Sequence, residues 1–293
     1  MGRILLGTSS WSEKSWGGGV FYPEGLPAGS WLSHYAGRFP AVEADVTYYR
    51  VPSASMVRGW RSKTPEGFVF CAKFPRAVVH GGEGARPDGD AVLVSDEARK
   101  TCDAFLEVMR LAGDRLGPLV LQFPYFNRGA FASPEPFLER LATFLDGLPR
   151  DLRYVVEVRN EKWMDEPLLA LLRERNVAFC LLDLAYVPHP ARLAERLDLV
   201  TADFLYARLI GDRKAIDALT KTFDREVVDQ GERLASWADL LARLAPTVRE
   251  TLAFVNNHYA GFAPATAQRL AALLRARGLA PEEPSVAPGD LPF

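Results

Sequence analysis

Polar side chains alternate with apolar ones in two short segments of this chain, and the alternation picks out candidates for chemistry. In Val42-Glu43-Ala44-Asp45-Val46-Thr47 the apolar residues fall on one parity and Glu43, Asp45 and Thr47 on the other. In Val155-Val156-Glu157-Val158-Arg159, Glu157 and Arg159 share a parity. Successive strand side chains point to opposite faces, so each polar set shares one side. Lys73, Gln122, Asp183, Arg208 and Asn256 lie at or near the ends of other apolar runs. Glu43 and Glu157 suit general acid–base work, with Lys73 and the loop histidine His80 as further catalytic candidates. Arg159 and Arg208 suit a bidentate grip on a carboxylate or phosphate, which Gln122 and Asn256 would orient. Asp183, Trp11 and Tyr48 complete the expected substrate-binding set. Together these residues fit a hydrolase or lyase that uses carboxylate acid–base catalysis on a small polar or anionic ligand.

The same charges can also be read as a structural network, Glu43 with Lys73 and Glu157 with Arg159 and Arg208. Burying a charge costs roughly several kcal/mol before pairing, and an apolar core would often be as stable, which tilts the set toward function. Glu43 and Glu157 formally match a glycosidase pair, but sequence does not give their separation. No GxSxG elbow, HxH or HExxH pair, CxxC pair, GxGxxG turn or GxxxxGK[ST] loop occurs. The four histidines are scattered, so a divalent metal would have to rest on carboxylates such as Glu43, Glu157 and Asp183, and no motif supports one. Cys71, Cys102 and Cys180 are far apart and read as buried thiols.

These residues need a scaffold that brings strand ends together. Eight apolar runs read as strands, near Ile4–Thr8, Ala41–Thr47, Phe68–Lys73, Pro118–Gln122, Tyr154–Val158, Ala178–Asp183, Phe204–Leu209 and Leu252–Asn256. Helical spacing appears at Ser30–Arg38, Ser53–Ser62, Ser95–Ala112, Pro134–Leu145, Glu166–Arg175, Gly231–Leu244 and Pro264–Arg277. The alternation predicts an α/β fold, a single (β/α)8 TIM-type barrel of parallel strands over residues 1–277, with a proline-rich extended tail over 278–293. In such a barrel catalytic residues collect at the C-terminal strand ends, where the candidates lie. The glycine-rich run Gly81–Asp90 reads as a mobile loop over the mouth.

With 35 basic and 37 acidic residues, a net charge of −2 and 293 residues, the chain has no global pull toward nucleic acid or membrane. The expected partner is a small molecule. The alternatives are a nucleic-acid-processing or damage-binding barrel, which would use mouth aromatics for stacking, and a non-catalytic sensor or interaction protein. The short apolar N-terminus and the lack of a long apolar run predict a cytoplasmic chain with no membrane span. The oligomeric state is not legible.

Several runs carry a family resemblance. They are Gly7-Thr8-Ser9-Ser10-Trp11, Phe21-Tyr22-Pro23, Trp31-Leu32-x-x-Tyr35, Val42-Glu43 with Thr47-Tyr48-Tyr49, Thr64-Pro65-x-Gly67-Phe68, and Lys73. Later come Leu116-Gly117-Pro118, Gln122-Phe123-Pro124, Glu157-Val158-Arg159 with Trp163, Tyr206-x-Arg208, and Asn256-Asn257-His258. In order and in extent the chain resembles the family called domain of unknown function 72, or YecE-like. The resemblance implies a TIM-type barrel and brings no reaction, substrate or cofactor with it. Three positions depart from the family pattern. Ser10 stands for a usual glycine, Asp45 for a common asparagine, and Ile210-Gly211 for a common His-Gly pair.

Overall fold

The apolar runs form eight parallel strands: β1 (Arg3–Thr8), β2 (Ala41–Ala44), β3 (Val69–Lys73), β4 (Leu116–Gln122), β5 (Tyr154–Glu157), β6 (Ala178–Leu184), β7 (Phe204–Gly211) and β8 (Glu250–Val255). The computed structural model describes residues 2–286 apart from 83 and 85. Each strand pairs with the next, and β8 returns to β1, so the sheet closes as a barrel in sequence order. Parallel strands in such a barrel are covered on both faces, which is why they read as near-continuous apolar runs. Every residue of β2, β3, β5, β6 and β8 is buried. Glycine is demanded where β1 meets β2, because a Cβ on Gly7 would collide with the Ala41 carbonyl.

The surrounding helices are α1 (Trp31–Ala36), α2 (Ala54–Ser62), α3 (Arg76–His80), α4 (Asp96–Met109), α5 (Glu135–Asp146), α6 (Glu166–Arg173), α7 (Pro190–Leu193), α8 (Arg213–Leu219), α9 (Gly231–Leu244) and α10 (Ala263–Ala276). Helix starts follow local chemistry: Ser53 and Ser95 accept the N–H groups of Met56 and Ala98 as N-caps, at 3.2 and 3.1 Å. The short helices α3, α7 and α8 carry too few residues to show a helical period in sequence. α4 is shorter than the periodicity predicts, because the chain tightens into a 3₁₀ turn over Arg110–Arg115, where Gly113 takes a φ of +60°.

β2 also ends early. The predicted strand to Thr47 stops at Ala44, and Asp45–Tyr48 winds into a 3₁₀ turn. Thr47 explains the break: its hydroxyl lies 2.9 Å from the Lys73 carbonyl and accepts the Lys73 N–H at 3.0 Å. A side chain thus ties the end of β2 to the end of β3 where the backbone ladder has stopped. At the opposite end of the barrel, Glu250 accepts from Arg153 at 2.5 Å and faces Arg3 at 3.5 Å. Beyond α10, Leu279 is buried and the Glu282 N–H donates to the Ile4 carbonyl at 2.8 Å. The described part of the 278–293 tail therefore runs beside the start of β1, and residues 287–293 lie outside the described residues. Among the described residues, no helix is long and apolar enough to cross a membrane.

Candidate active site at the barrel mouth

β7 supplies the centre. Arg208 is 2% exposed and its guanidinium joins three other strands. Its Nε and Nη2 donate to Glu43 Oε1 of β2 at 3.1 and 2.8 Å. Its Nη1 donates to Gln122 Oε1 of β4 at 2.9 Å and also to Glu157 Oε2 of β5. One parity step back along β7, the Tyr206 hydroxyl donates to Glu43 Oε2 at 2.7 Å. Both carboxylates are fully buried. Each then holds a second cation nearer the mouth: Glu43 Oε1 stands 3.5 Å from Lys73 Nζ, and Glu157 Oε1 accepts from Arg159 Nε at 2.9 Å. Lys73 also pairs with Asp45, whose side chain is 34% exposed.

The electrostatics follow from this arrangement. Burial pushes the Glu43 carboxyl up, but Arg208, Lys73 and the Tyr206 hydroxyl outweigh it and hold the group below the usual carboxylate range. Glu157 is lowered in the same way, burial being overcome by Arg208, Arg159 and Lys73. Asp45 moves in the opposite direction. Desolvation and the neighbouring Glu43 charge raise it, against the pull of Lys73. Two adjacent carboxylates are thereby driven apart in acidity, Glu43 toward the ionised form and Asp45 toward the protonated one. Burial raises the Cys71 and Cys180 thiols well above their ordinary value, so neither supplies a thiolate.

Above this layer, Tyr48 on the Asp45–Tyr48 turn packs edge-on against His80 at the end of α3, with centroids 6.2 Å apart. Burial, Arg76 and Arg159 together lower His80 to about 4, so its ring is neutral at physiological pH. Its Nδ1 is buried and has no partner among the described residues. Of the run read as a loop over the mouth, residues 83 and 85 lie outside the described residues; after them the Asp88 N–H donates to the His80 carbonyl at 2.8 Å.

Two cavities open at this end. One of about 180 Å³ lies over Asp45 and is lined by Ser9, Ser10, Glu13, Asn256 and His258. The other, of about 470 Å³, has Arg159 in its wall.

The structure brings together Glu43, Lys73, Gln122, Glu157, Arg159 and Arg208, with Tyr48 and His80 above them. Asp183 and Trp11 sit elsewhere, and Asn256 borders only the smaller cavity over Asp45. Asp183 lies on the other parity of β6, where it accepts from Arg233 and Trp237 of α9 at 2.9 and 2.8 Å. Cys180 faces inward in its place, 4.0 Å from Glu157. Asn256 accepts the His258 N–H at 3.0 Å and caps the turn after β8. Trp11 packs edge-on against Trp60 and Phe70 at 5.5 and 6.2 Å. Because Asp183 turns away, the three carboxylates that a metal would need do not converge. Among the described residues, no group of three His, Cys, Asp or Glu side chains is arranged to hold one.

Tyr206 and Arg76 belong to the site and were not picked out as functional from sequence. The signal for Tyr206 existed, since it shares the parity of Arg208. Arg76 had none, because it enters from a helix of one turn. Gly211, which follows the departed His-Gly position, takes a φ of +78°, and a Cβ there would collide with the His258 carbonyl. The glycine half of that pair is thus fixed by backbone, while Ile210 leaves the site without the extra imidazole.

Comparison with known proteins agrees with this architecture. The model of a family described as "Protein of unknown function DUF72" matches residues 5–289. The UPF0759 protein YecE of Escherichia coli K12 is 31% identical over 198 residues, covering 64% of this chain and 62% of that protein. The UPF0759 protein YunF of Bacillus subtilis 168 is 26% identical over 123 residues, 41% of this chain and 40% of that protein. The chain therefore spans less than two thirds of the length of these curated relatives. Among solved structures, a DUF72 family protein of Thermotoga maritima superposes with a TM-score of 0.68 at 26% identity, covering 93% of this chain and 99% of that one. One from Enterococcus faecalis gives 0.67 at 21% identity, covering 93% and 96%, and shows the fold alone.

Proposed function

The chain belongs to the DUF72 family, a TIM-type barrel family without an assigned reaction, and we propose that its barrel mouth is an enzyme active site for a small anionic ligand. In this reading Arg159, in the wall of the larger cavity, binds the anion, and Asp45, under the smaller cavity and held by Lys73, transfers the proton. Glu43, Glu157, Gln122, Tyr206 and Arg208 form the layer beneath that fixes the two cations.

The observation that carries the reading is the direction of the buried charges. Two carboxylates with no exposed surface are held ionised by Arg208, and each directs a second cation toward the mouth. A network made only for stability would be expected to close on itself, since an apolar core serves that end as well. The acid–base role falls to Asp45 and not to Glu43 or Glu157, because those two have their oxygens committed to Arg208, Lys73, Arg159 and Tyr206. Asp45 keeps access to solvent and a raised affinity for protons, which suits a general acid–base group.

The test is turnover of a panel of carboxylate and phosphate esters, β-hydroxy acids and related anions by the wild type and by Asp45→Asn. Asp45→Asn is expected to lower turnover by about 10²–10⁴-fold, the usual contribution of a positioned acid or base, with folding intact. Anion binding without turnover of any member would make the protein a sensor and sink the enzymatic reading.

A further inference from the structure

We propose that the cavity beside Arg159 takes a ligand in which one anionic group, a carboxylate or a phosphate, is joined to an aromatic ring. This rests on the reading of the mouth as an active site and names its substrate class.

The cavity, of about 470 Å³, lies between the loops that follow β4, β5 and β6. That volume is within the range of small-molecule sites, about 300–1,000 Å³. Arg159 commits only its Nε, to Glu157, and among the described residues its two terminal nitrogens have no protein hydrogen-bond partner. Four N–H groups in a planar fork therefore remain for a ligand, in the geometry that matches a carboxylate or phosphate edge. Arg128 and Lys162 line the same space, with Glu161 as its one acidic residue, so the cavity favours an anion. Glu157 holds the fork in place from below, so little order has to be gained on binding.

The walls argue for a ring. Tyr125 from the loop after β4 and Tyr186 from the loop after β6 are 59% and 56% exposed, and both border this cavity. Behind them Trp163 stacks on Phe126 with centroids 5.7 Å apart, which makes a rigid back wall. Two exposed rings on separate loops border the same space as an open guanidinium, and aromatic pairs favour offset or edge contacts beyond simple area. A long polyanion would instead call for a continuous basic track, which three cations in one pocket do not make.

Calorimetric titration of the full chain with benzoate, phenyl phosphate, cyclohexanecarboxylate and benzyl alcohol tests this. Benzoate or phenyl phosphate is expected to bind about tenfold more tightly than cyclohexanecarboxylate, and benzyl alcohol to bind more weakly still. Which aromatic anion binds better separates the carboxylate from the phosphate. Arg159→Lys keeps the charge but loses the fork, and about a tenfold loss is expected. Tyr125→Leu with Tyr186→Leu, at exposed positions, should erase the preference for the ring while leaving the anion affinity. Equal affinity for benzoate and cyclohexanecarboxylate, or no binding of either aromatic anion, overturns the proposal. Aromatic binding that depends on Arg159 but is never followed by turnover leaves this inference standing and defeats the enzymatic reading. Asp45-dependent turnover of aliphatic anions only does the reverse.

Discussion

The barrel contains two buried charge clusters at C-terminal strand ends, and they end differently. In one, Glu43 and Glu157 surround Arg208; Glu43 shares Oε1 between Arg208 and Lys73, and Glu157 gives its second oxygen to Arg159, which reaches the mouth with N–H groups to spare. In the other, Asp183 is enclosed by Arg233 and the Trp237 indole of α9, with His189 Nε2 at 3.5 Å. The His189 Nδ1 already accepts the Ala191 N–H at 3.2 Å and Arg233 spends its Nε and Nη2 on Asp183, so that cluster works as a strut between β6, α7 and α9, with the partly exposed Arg233 side chain as its outer end. Both rest on carboxylates with no exposed surface. Burial of charge alone therefore does not mark a functional site; spare donors in the wall of a cavity, as Arg159 has, are the stronger mark.

The largest expected effect breaks the mouth network at its centre. Arg208→Met leaves Glu43 and Glu157 buried without their shared partner, and urea unfolding should show a loss of about 3–5 kcal/mol. Ligand affinity at the mouth should fall with it, because Lys73 and Arg159 lose their supports. Asp183→Asn in the strut should cost about 2–3 kcal/mol by the same measurement, since hydrogen bonds to a charged group are lost. It should leave mouth binding and turnover unchanged. If Asp183→Asn weakened ligand binding as much as Arg208→Met, the distinction between the two clusters would collapse.

Smaller effects sharpen the contrast. Tyr206→Phe removes one hydrogen bond to ionised Glu43 and should cost about 1.5 kcal/mol. It should also raise the Glu43 carboxyl, seen as a shift in its infrared titration. pH adds a sign to the comparison. Glu43 and Glu157 are held below their ordinary values, so their contribution is complete above about 4.5 and is lost as pH falls through the lower folded values. In Arg208→Met that lowering is gone and the carboxyls prefer to be neutral. The stability gap between wild type and variant should therefore narrow as pH falls below about 4.5. The smallest effect is on His80, whose imidazole protons should titrate near 4 by NMR and at higher pH in Arg76→Gln.

Much of the barrel was legible because closure demands it. Parallel strands covered on both faces must be apolar runs, and eight such runs interleaved with helical stretches specify the architecture. The inward positions of Glu43 and Glu157 also followed from alternation with apolar neighbours, and Arg208 was marked only by its place near the end of an apolar run. Alternation failed at Asp45 and Thr47, because β2 had already ended and a turn, tied down by Thr47 to β3, sets where they sit. It failed at Asp183 for another reason. In an all-buried strand such as Ala178–Leu184, apolar residues occupy both faces, so the lone carboxylate carries no mark of which side it takes.

The sequence by itself determined the closed barrel, the end at which its polar residues gather and the family to which it belongs, since these depend on local patterns repeated along the chain. Tertiary structure alone decided that Arg208 sits at the centre of a buried network, that Asp183 braces a helix, and that Arg159 keeps free N–H groups while Asp45 stays partly exposed. Those outcomes depend on pairing between strands distant in sequence, such as Arg208 with Glu43 165 residues away. Only the closed barrel determines which buried charge finds a partner and which is left facing the solvent.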